Sequence, residues 1–272
     1  MTAGRARPLA GRRVLVTRPR AQAPDLVERL AVLGAETVAA PAIRIVPPED
    51  ARPLADACAA AASFAWIVFT SANAVDAFME RLGDGGDGAA DLAGVRICAI
   101  GPATGARIAR YGLAVHLAPA DHRGEGVSAA LRAGRDLRGT RILLPRADIA
   151  RPLLPDALRA AGADVTEVTA YRTVAAAGWP GPVVREMLRQ RTIDAVTFTS
   201  ASAVRNAVQS LAAAQALDLL RPPVVAAIGP VTARAARRLG VEATVVPSIH
   251  TAPALAQALA DHFTGTPEAH SA

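Results

Sequence analysis

Residues 225–240 read VAAIGPVTARAARRLG, and residues 97–112 read ICAIGPATGARIARYG. In both, an apolar run turns at a glycine and enters a segment with proline at its first position and threonine in its first turn. The apolar run reads as a buried strand and the segment after it as a helix, because proline is tolerated where a helix N–H has no internal partner. A strand that runs straight into a helix leaves free N–H groups and a positive dipole end at the C-terminal edge of its sheet. That edge is where open α/β sheets bind ligands, anions in particular. Gly101 and Gly229 are 128 residues apart (229 − 101 = 128), as are Thr104 and Thr232, and Gly112 and Gly240.

The spacing extends in both directions from this phrase. RRVLVTRPR (12–20) aligns with TRILLPRAD (140–148), which pairs Arg18 with Arg146. Leu30 pairs with Leu158, Gly34 with Gly162, Arg44 with Arg172 and Val46 with Val174. FTSANAV at Phe69 returns as FTSASAV at Phe198, one residue further along (198 − 69 = 129). A period this long exceeds the roughly 20–50 residues of a solenoid repeat and suits two domain-sized halves.

Composition fits a globular pair. The 272 residues are 51% apolar, enough for one large core or two small ones. Met1 to Arg13 is basic, but no signal-peptide apolar run follows it, and the least polar window, 57–72, is shorter than a membrane span of about 20 residues. Cys58 and Cys98 lack metal-binding companions and read as buried thiols in a reducing cytoplasm. His116, His122, His250, His262 and His270 have no ligand spacing, so no metal is expected. The net charge is +6, yet every one of the 30 basic residues is arginine, which reads as genomic bias. With aromatics at only 3%, base-stacking platforms are scarce and nucleic acid is not the expected partner. A basic surface still attracts small polyanions.

Read in order, strands are expected at Val14–Thr17, Glu36–Ala40, Ala42–Val46, Ala65–Phe69, Val95–Ile100 and around Val115. Helices are expected at Asp25–Leu33, Asp50–Ala62, from Thr70-Ser71 to about Leu82, to Arg110, and at Gly124–Arg132. The run GDGGDG (83–88) follows a helix and lacks the GK[ST] ending, so it reads as a surface loop and not a phosphate loop. The second half repeats the order, with strands at Ile142–Leu144, Asp164–Val174, Ala195–Phe198, Val224–Ile228 and near Val245. Its helices are expected at Pro155–Ala161, from the WPGP run (179–182) to about Gln190, from Ser200, from Pro230, and at Pro253–His262. The tail from Thr264 reads as frayed. Strands alternating with helices predict parallel sheets covered on both faces.

The corners hold the polar residues. Arg18, Thr70 with Ser71, Gly101 with Thr104, Arg146, Thr199 with Ser200, and Gly229 with Thr232 all follow a strand and precede a helix. In a parallel sheet such corners share one edge. These hydroxyls either cap helices or meet a ligand, and their repetition in both halves favours a ligand. Tyr171 breaks the repeat, because its counterpart is Ile43 (171 − 128 = 43). Its phenol is a proton donor at neutral pH; the alternative is a half-buried tyrosine with its hydroxyl satisfied by backbone. Tyr111, at the end of a helix, is the weaker candidate. No Ser–His–Asp set, carboxylate pair or dinucleotide fingerprint is present, so no cofactor is expected.

With LVTRP, FTSANAV, AIGPAT, LLPRAD, VTAYRTV, FTSASAV and AIGPVTARA in this order, the chain resembles the uroporphyrinogen-III synthases from about Arg12 to Phe263. The resemblance implies an α/β fold of two similar parallel-sheet domains from an internal duplication, joined by a two-stranded β linker, with a cleft between them. One domain would hold 1–42 and 174–272 and the other 46–169, with linker strands at 43–46 and 170–174. The implied activity converts hydroxymethylbilane, a linear tetrapyrrole polycarboxylate, into uroporphyrinogen III with inversion of ring D and loss of water. Tyr171 matches the family tyrosine held to assist departure of the hydroxyl. Ser71, Thr104, Ser200 and Thr232 match positions held to contact the acidic side chains, and Arg18, Arg146 and Gly229 complete the expected substrate-binding set. Many members carry a second threonine before Thr232; this chain has Val231. Hydroxymethylbilane is the implied partner, together with a transient contact to the upstream bilane-forming enzyme, and neither membrane nor nucleic acid. A two-lobed module that binds an acidic metabolite without turning it over is the alternative.

Overall fold

The computed structural model describes residues 7–85, 88–134 and 136–265. In chain order the first elements are β1 (Arg13–Val16), α1 (Ala23–Val32), β2 (Glu36–Ala39), β3 (Ile43–Val46), α2 (Arg52–Ala59), β4 (Trp66–Phe69) and α3 (Ala72–Gly83). Next come β5 (Arg96–Ala99), α4 (Pro102–Arg110), α5 (Gly124–Arg132), β6 (Arg141–Ala147), α6 (Leu153–Ala160) and β7 (Asp164–Ala175). The chain ends with α7 (Pro182–Arg189), β8 (Ala195–Phe198), α8 (Ala201–Ala213), β9 (Val224–Ala227), α9 (Pro230–Arg238) and α10 (Ala252–Thr264).

The chain divides into two compact units: Met1–Arg44 with Val174–Ala272, and Ile45–Thr173. The division falls inside β3 and β7, neighbours in one sheet. The first unit holds a sheet ordered β2-β1-β8-β9, and the second one ordered β3-β7-β6-β4-β5. The pairings of β1 with β2 and β8, of β8 with β9, of β4 with β5 and β6, and of β6 with β7 are all parallel. A last bridged residue extends each sheet, Val245 beside Ala226 and Leu117 beside Cys98. Each sheet therefore combines strands from both halves of the sequence. In the first unit the order is 2-1-3-4-5, counted along that unit, and the second is a circular permutation of it.

Alternate residues of each strand enter different cores, as a period of two requires. Val14 and Val16 face a core with Leu26, Leu30 and Leu255, while Leu15 faces Phe198, Val204 and Leu211. In the second unit Trp66 and Val68 join Val127, Leu131 and Leu158, while Ile67 and Phe69 join Phe78 and Ile108. Each such large apolar side chain contributes about 1.5–3 kcal/mol by its burial.

Several expectations shift for local reasons. The second helix starts at Arg52 rather than Asp50, because the Asp50 carboxylate accepts from the Arg52 N–H (3.0 Å). It ends at Ala59, and a short tight turn at Ala61–Ser63 follows. The strand expected around Val115 is instead a single bridge at Leu117. His116 takes the preceding place: its N–H donates to the Ile97 carbonyl (2.8 Å) and its Nδ1 accepts from the Ile97 N–H (3.1 Å). The strand expected at Ile142–Leu144 runs on to Ala147 through Pro145, whose missing N–H is harmless because pairing with β4 stops at Leu143. In the GDGGDG run residues 86 and 87 lie outside the described residues, as does the tail from 266.

Candidate active site

Tyr171 is placed by an irregularity in β7. Arg146 of β6 pairs with Thr169, but Ala147 pairs with Tyr171, so Ala170 is skipped. Such a bulge re-aims the side chains that follow it. Ala170 and Tyr171, which strict alternation would send to opposite faces, both enter the core with Phe69 and Phe78. Tyr171 is 7% exposed. Its hydroxyl lies 3.1 Å from Ser71 Oγ, a side-chain partner where a backbone one was the alternative.

Ser71 follows β4 directly and caps α3, accepting from the Ala74 N–H (3.1 Å). Ser200 does the same after β8, accepting from the Ala203 N–H (3.1 Å). Both serines are therefore helix caps, and Ser71 is also the neighbour of the tyrosine. The glycine corners differ. No side chain caps α4 at Gly101 or α9 at Gly229, and proline supplies the first helical position in each. Thr104 and Thr232 stand in those first turns, each 4% exposed. Neither hydroxyl has a hydrogen-bond partner among the described residues. Neither oxygen is among the fully buried unpartnered side-chain atoms of the described residues, so each hydroxyl reaches the surface although its residue is largely covered.

The arginines behave differently from the hydroxyls. Arg146 lines a pocket of about 210 Å³ with Thr70, Gly124, Glu125, Arg151 and Leu153, at the C-terminal ends of β4 and β6. Its guanidinium is held by Glu167 and by the carbonyl of Arg151, and Glu167 also pairs with Arg159 (2.8 Å). Arg18 is half-buried at the end of β1, ahead of Pro19. Tyr111 is structural: its hydroxyl donates to Asp76 (3.1 Å), which also pairs with Arg107 (2.7 Å), tying α4 to α3. Burial first, then the Asp76 charge, pushes the Tyr111 phenol up to about 12. Burial likewise raises the Cys58 and Cys98 thiols to about 11 and 12, so neither is a nucleophile at neutral pH.

The second unit thus holds Tyr171, Ser71, Thr104 and Arg146, of which Tyr171 and Ser71 are in contact, and the first holds Arg18, Ser200, Gly229 and Thr232. Sequence reasoning noted Val231 only as a missing threonine and overlooked the other exposed apolar residues near these corners. Val231 (53% exposed) and Ile249 (65%) flank the α9 corner in the first unit, and Ile149 (54%) and Leu153 (42%) lie near the pocket in the second. Nothing in their sequence pattern distinguishes them from core residues. Among the described residues no helix is long and apolar enough to cross a membrane, and no group of three His, Cys, Asp or Glu side chains is placed to hold a metal ion.

Parallel sheets whose strands end at helix N-termini without a side-chain cap, in two units of equivalent strands, define a two-unit α/β protein. The family described as Uroporphyrinogen-III synthase HemD matches residues 24–257. A uroporphyrinogen-III synthase of Chlorobaculum parvum is 28% identical over 250 residues, covering 91% of this chain and 98% of the relative. That of Synechococcus elongatus is 31% identical over 229 residues, 83% and 85% of the two chains. In fold, a Thermus thermophilus uroporphyrinogen III synthase superposes with a TM-score of 0.64 at 21% identity, over 94% of this chain and 100% of that one. The chain belongs to the uroporphyrinogen-III synthase family, and its work lies in tetrapyrrole biosynthesis.

Proposed function

We propose that this chain cyclises hydroxymethylbilane to uroporphyrinogen III, with Tyr171 as proton donor and the corner hydroxyls and helix N-termini as seats for substrate carboxylates. The observation that carries this reading is the repeated corner. Two helices without a side-chain cap each present, in the first turn, a largely covered threonine whose hydroxyl has no partner among the described residues, and the substrate bears carboxylates on every ring. A charge-assisted hydrogen bond at such a seat is worth about 1.5–3 kcal/mol, added to the favourable helix dipole. Exposed Val231, Ile249, Ile149 and Leu153 offer apolar surface to the pyrrole faces.

The chemistry begins with departure of the ring A hydroxyl. Ser71 Oγ already accepts from Ala74; donating its own proton to the Tyr171 oxygen leaves the phenol O–H pointed away and available. Transfer of that proton lets the hydroxyl leave as water, while the ring A nitrogen lone pair stabilises the resulting cation. The substituted carbon of ring D then attacks it, and the spiro intermediate opens and recloses with ring D inverted. The proton released on closure restores the phenol. Arg18, Ser200 and Gly229 stand after strands of the first unit and Arg146 near the end of β6 in the second, and each takes part in holding substrate carboxylates; Arg146 acts through a guanidinium fixed by Glu167. No cofactor enters this scheme. The buried free thiols support a cytoplasmic setting, where the bilane-forming enzyme would hand over its product.

Hydroxymethylbilane also closes unaided, so catalysis is read as its rate of disappearance against a protein-free control. Accelerated loss in proportion to protein concentration is expected. A loss rate equal to the control, with the bilane merely bound, would reduce the chain to a binding module.

A further inference from the structure

His122 and His250 are separated by the same 128 residues as the two corner phrases (250 − 122 = 128). Each is exposed and stands one residue before the N-cap of a helix, Arg123 for α5 and Thr251 for α10. Each also closes over the N-cap glycine of another helix. A Cβ added to Gly101 would lie 3.1 Å from His122 Cγ, and one added to Gly229 would lie 2.9 Å from Cγ and Cδ2 of His250. The φ angles of these glycines, −172° and −177°, describe extended backbone open to any residue. A side chain at either glycine would press on the neighbouring imidazole and push it aside, whereas the backbone conformation itself suits any residue. In the second unit the approach to His122 is fixed from behind, since a Cβ on Gly126 of α5 would meet the Asp121 carbonyl oxygen at 2.1 Å.

Each imidazole thus stands where two helix N-termini meet, α4 with α5 and α9 with α10. The Cα–Cβ bonds of a helix tilt toward its N-terminus, so the unpartnered hydroxyls of Thr104 and Thr232 lean toward the same turns. The neighbouring acid is occupied: Asp121 faces Arg123 at 3.7 Å. Beside His250 stand apolar Ile249 and Thr251, whose hydroxyl caps α10 by accepting from the Ala254 N–H (3.4 Å). We propose that His122 and His250 are substrate-binding residues, each donating an imidazole N–H to a carboxylate seated at the adjoining glycine corner. Each unit then has one seat, built of helix N–H groups, a threonine hydroxyl and a histidine. The ligand class is the short carboxylate arm of a tetrapyrrole, so the inference rests on the function proposed above. The glycines keep the ring close enough to share the anion with the helix.

The test uses the full chain and uroporphyrin III, the oxidised and stable form of the product, as probe. His122→Ala and His250→Ala should each weaken uroporphyrin binding about tenfold, the order of one hydrogen bond to a charged group, and raise KM for hydroxymethylbilane more than they lower kcat. Gly229→Ala should weaken binding similarly by displacing His250, and should add nothing in a His250→Ala background. That non-additivity is the mark of one shared contact, which a merely structural corner would not show. Unchanged uroporphyrin affinity in both histidine variants, or a full additional loss from Gly229→Ala when His250 is absent, would overturn the proposal. Wild-type protein that binds uroporphyrin in a histidine-dependent way but leaves the bilane to close at the control rate would contradict the enzymatic reading alone, leaving the seats in place.

Discussion

At Tyr171 the β7 strand drops Ala170 from its pairing with β6, and the phenol turns inward to meet Ser71 at 3.1 Å. The repeat already singles out Tyr171 in the sequence, since its counterpart is Ile43. The partner does not show, because a bulge leaves no periodic signature in a run of mixed residues such as VTAYRTV. The threonines were legible for a similar reason: GPAT and GPVT place a hydroxyl in a helix first turn. What the sequence hides is that Ser71 and Ser200 cap their helices while Thr104 and Thr232 stay unpartnered, a difference set by backbone position and not by residue type. Tyr171→Phe keeps the ring in its core and removes the donor. Steady-state assays should show kcat lowered by several-fold to about 10², the low end of general-acid assistance, since the pyrrole nitrogen already helps expel the hydroxyl. The melting temperature should stay near wild type, because the lost contact is a single hydrogen bond to another hydroxyl. Wild-type turnover in this variant would leave Tyr171 a packing residue.

Among the elements, β4, β8 and the GP corners were readable because each is a four- to six-residue apolar run bounded by Thr-Ser or Gly-Pro. Boundaries slipped where a side chain competes with backbone: Asp50 delays α2, and His116 moves the last strand position of the second unit to Leu117. The tie between α3 and α4 was not legible, because Asp76, Arg107 and Tyr111 meet through tertiary packing. It yields a pH dependence. The Tyr111 phenol is raised in the folded chain to about 12 from an ordinary value of 10. A raised folded pKa means that the native state holds the proton more tightly than the unfolded chain. The contribution is therefore whole below pH 10 and is lost as pH rises through about 12. Urea midpoints at about pH 9 and pH 11.5 should show Tyr111→Phe less stable than wild type at the lower value, with the gap narrowing at the higher. A gap that stays constant or widens would remove the phenol–Asp76 contact as its cause. Cys98, raised by burial, titrates over the same interval in both proteins and cancels in the comparison.

For the whole molecule, the offset of 128 carries the architecture further than any single element does. It predicts equivalent strands in both halves, and the sheets combine them across the halves: β1 and β2 with β8 and β9, and β4 and β5 with β6 and β7. That recombination is not contained in periodicity, because pairing partners far apart in sequence are chosen by packing. It has a direct consequence for fragments. Residues 45–173 contain β4, β5, β6 and most of β7 with both of their core layers, so this piece should fold alone with a cooperative urea transition. Residues 1–135, although they form a continuous half, separate β1 and β2 from β8 and leave β4 without β6. They should collapse without cooperativity. A cooperative 1–135 beside a molten 45–173 would contradict the pairing. The central claim concerns the product, and the most direct measurement is the isomer composition after the chain meets fresh hydroxymethylbilane. Unaided closure gives uroporphyrinogen I, so oxidation and chromatographic separation of the two porphyrins should show the type III isomer predominating and rising with protein concentration. Type I alone, from protein with a cooperative unfolding transition, would contradict the account.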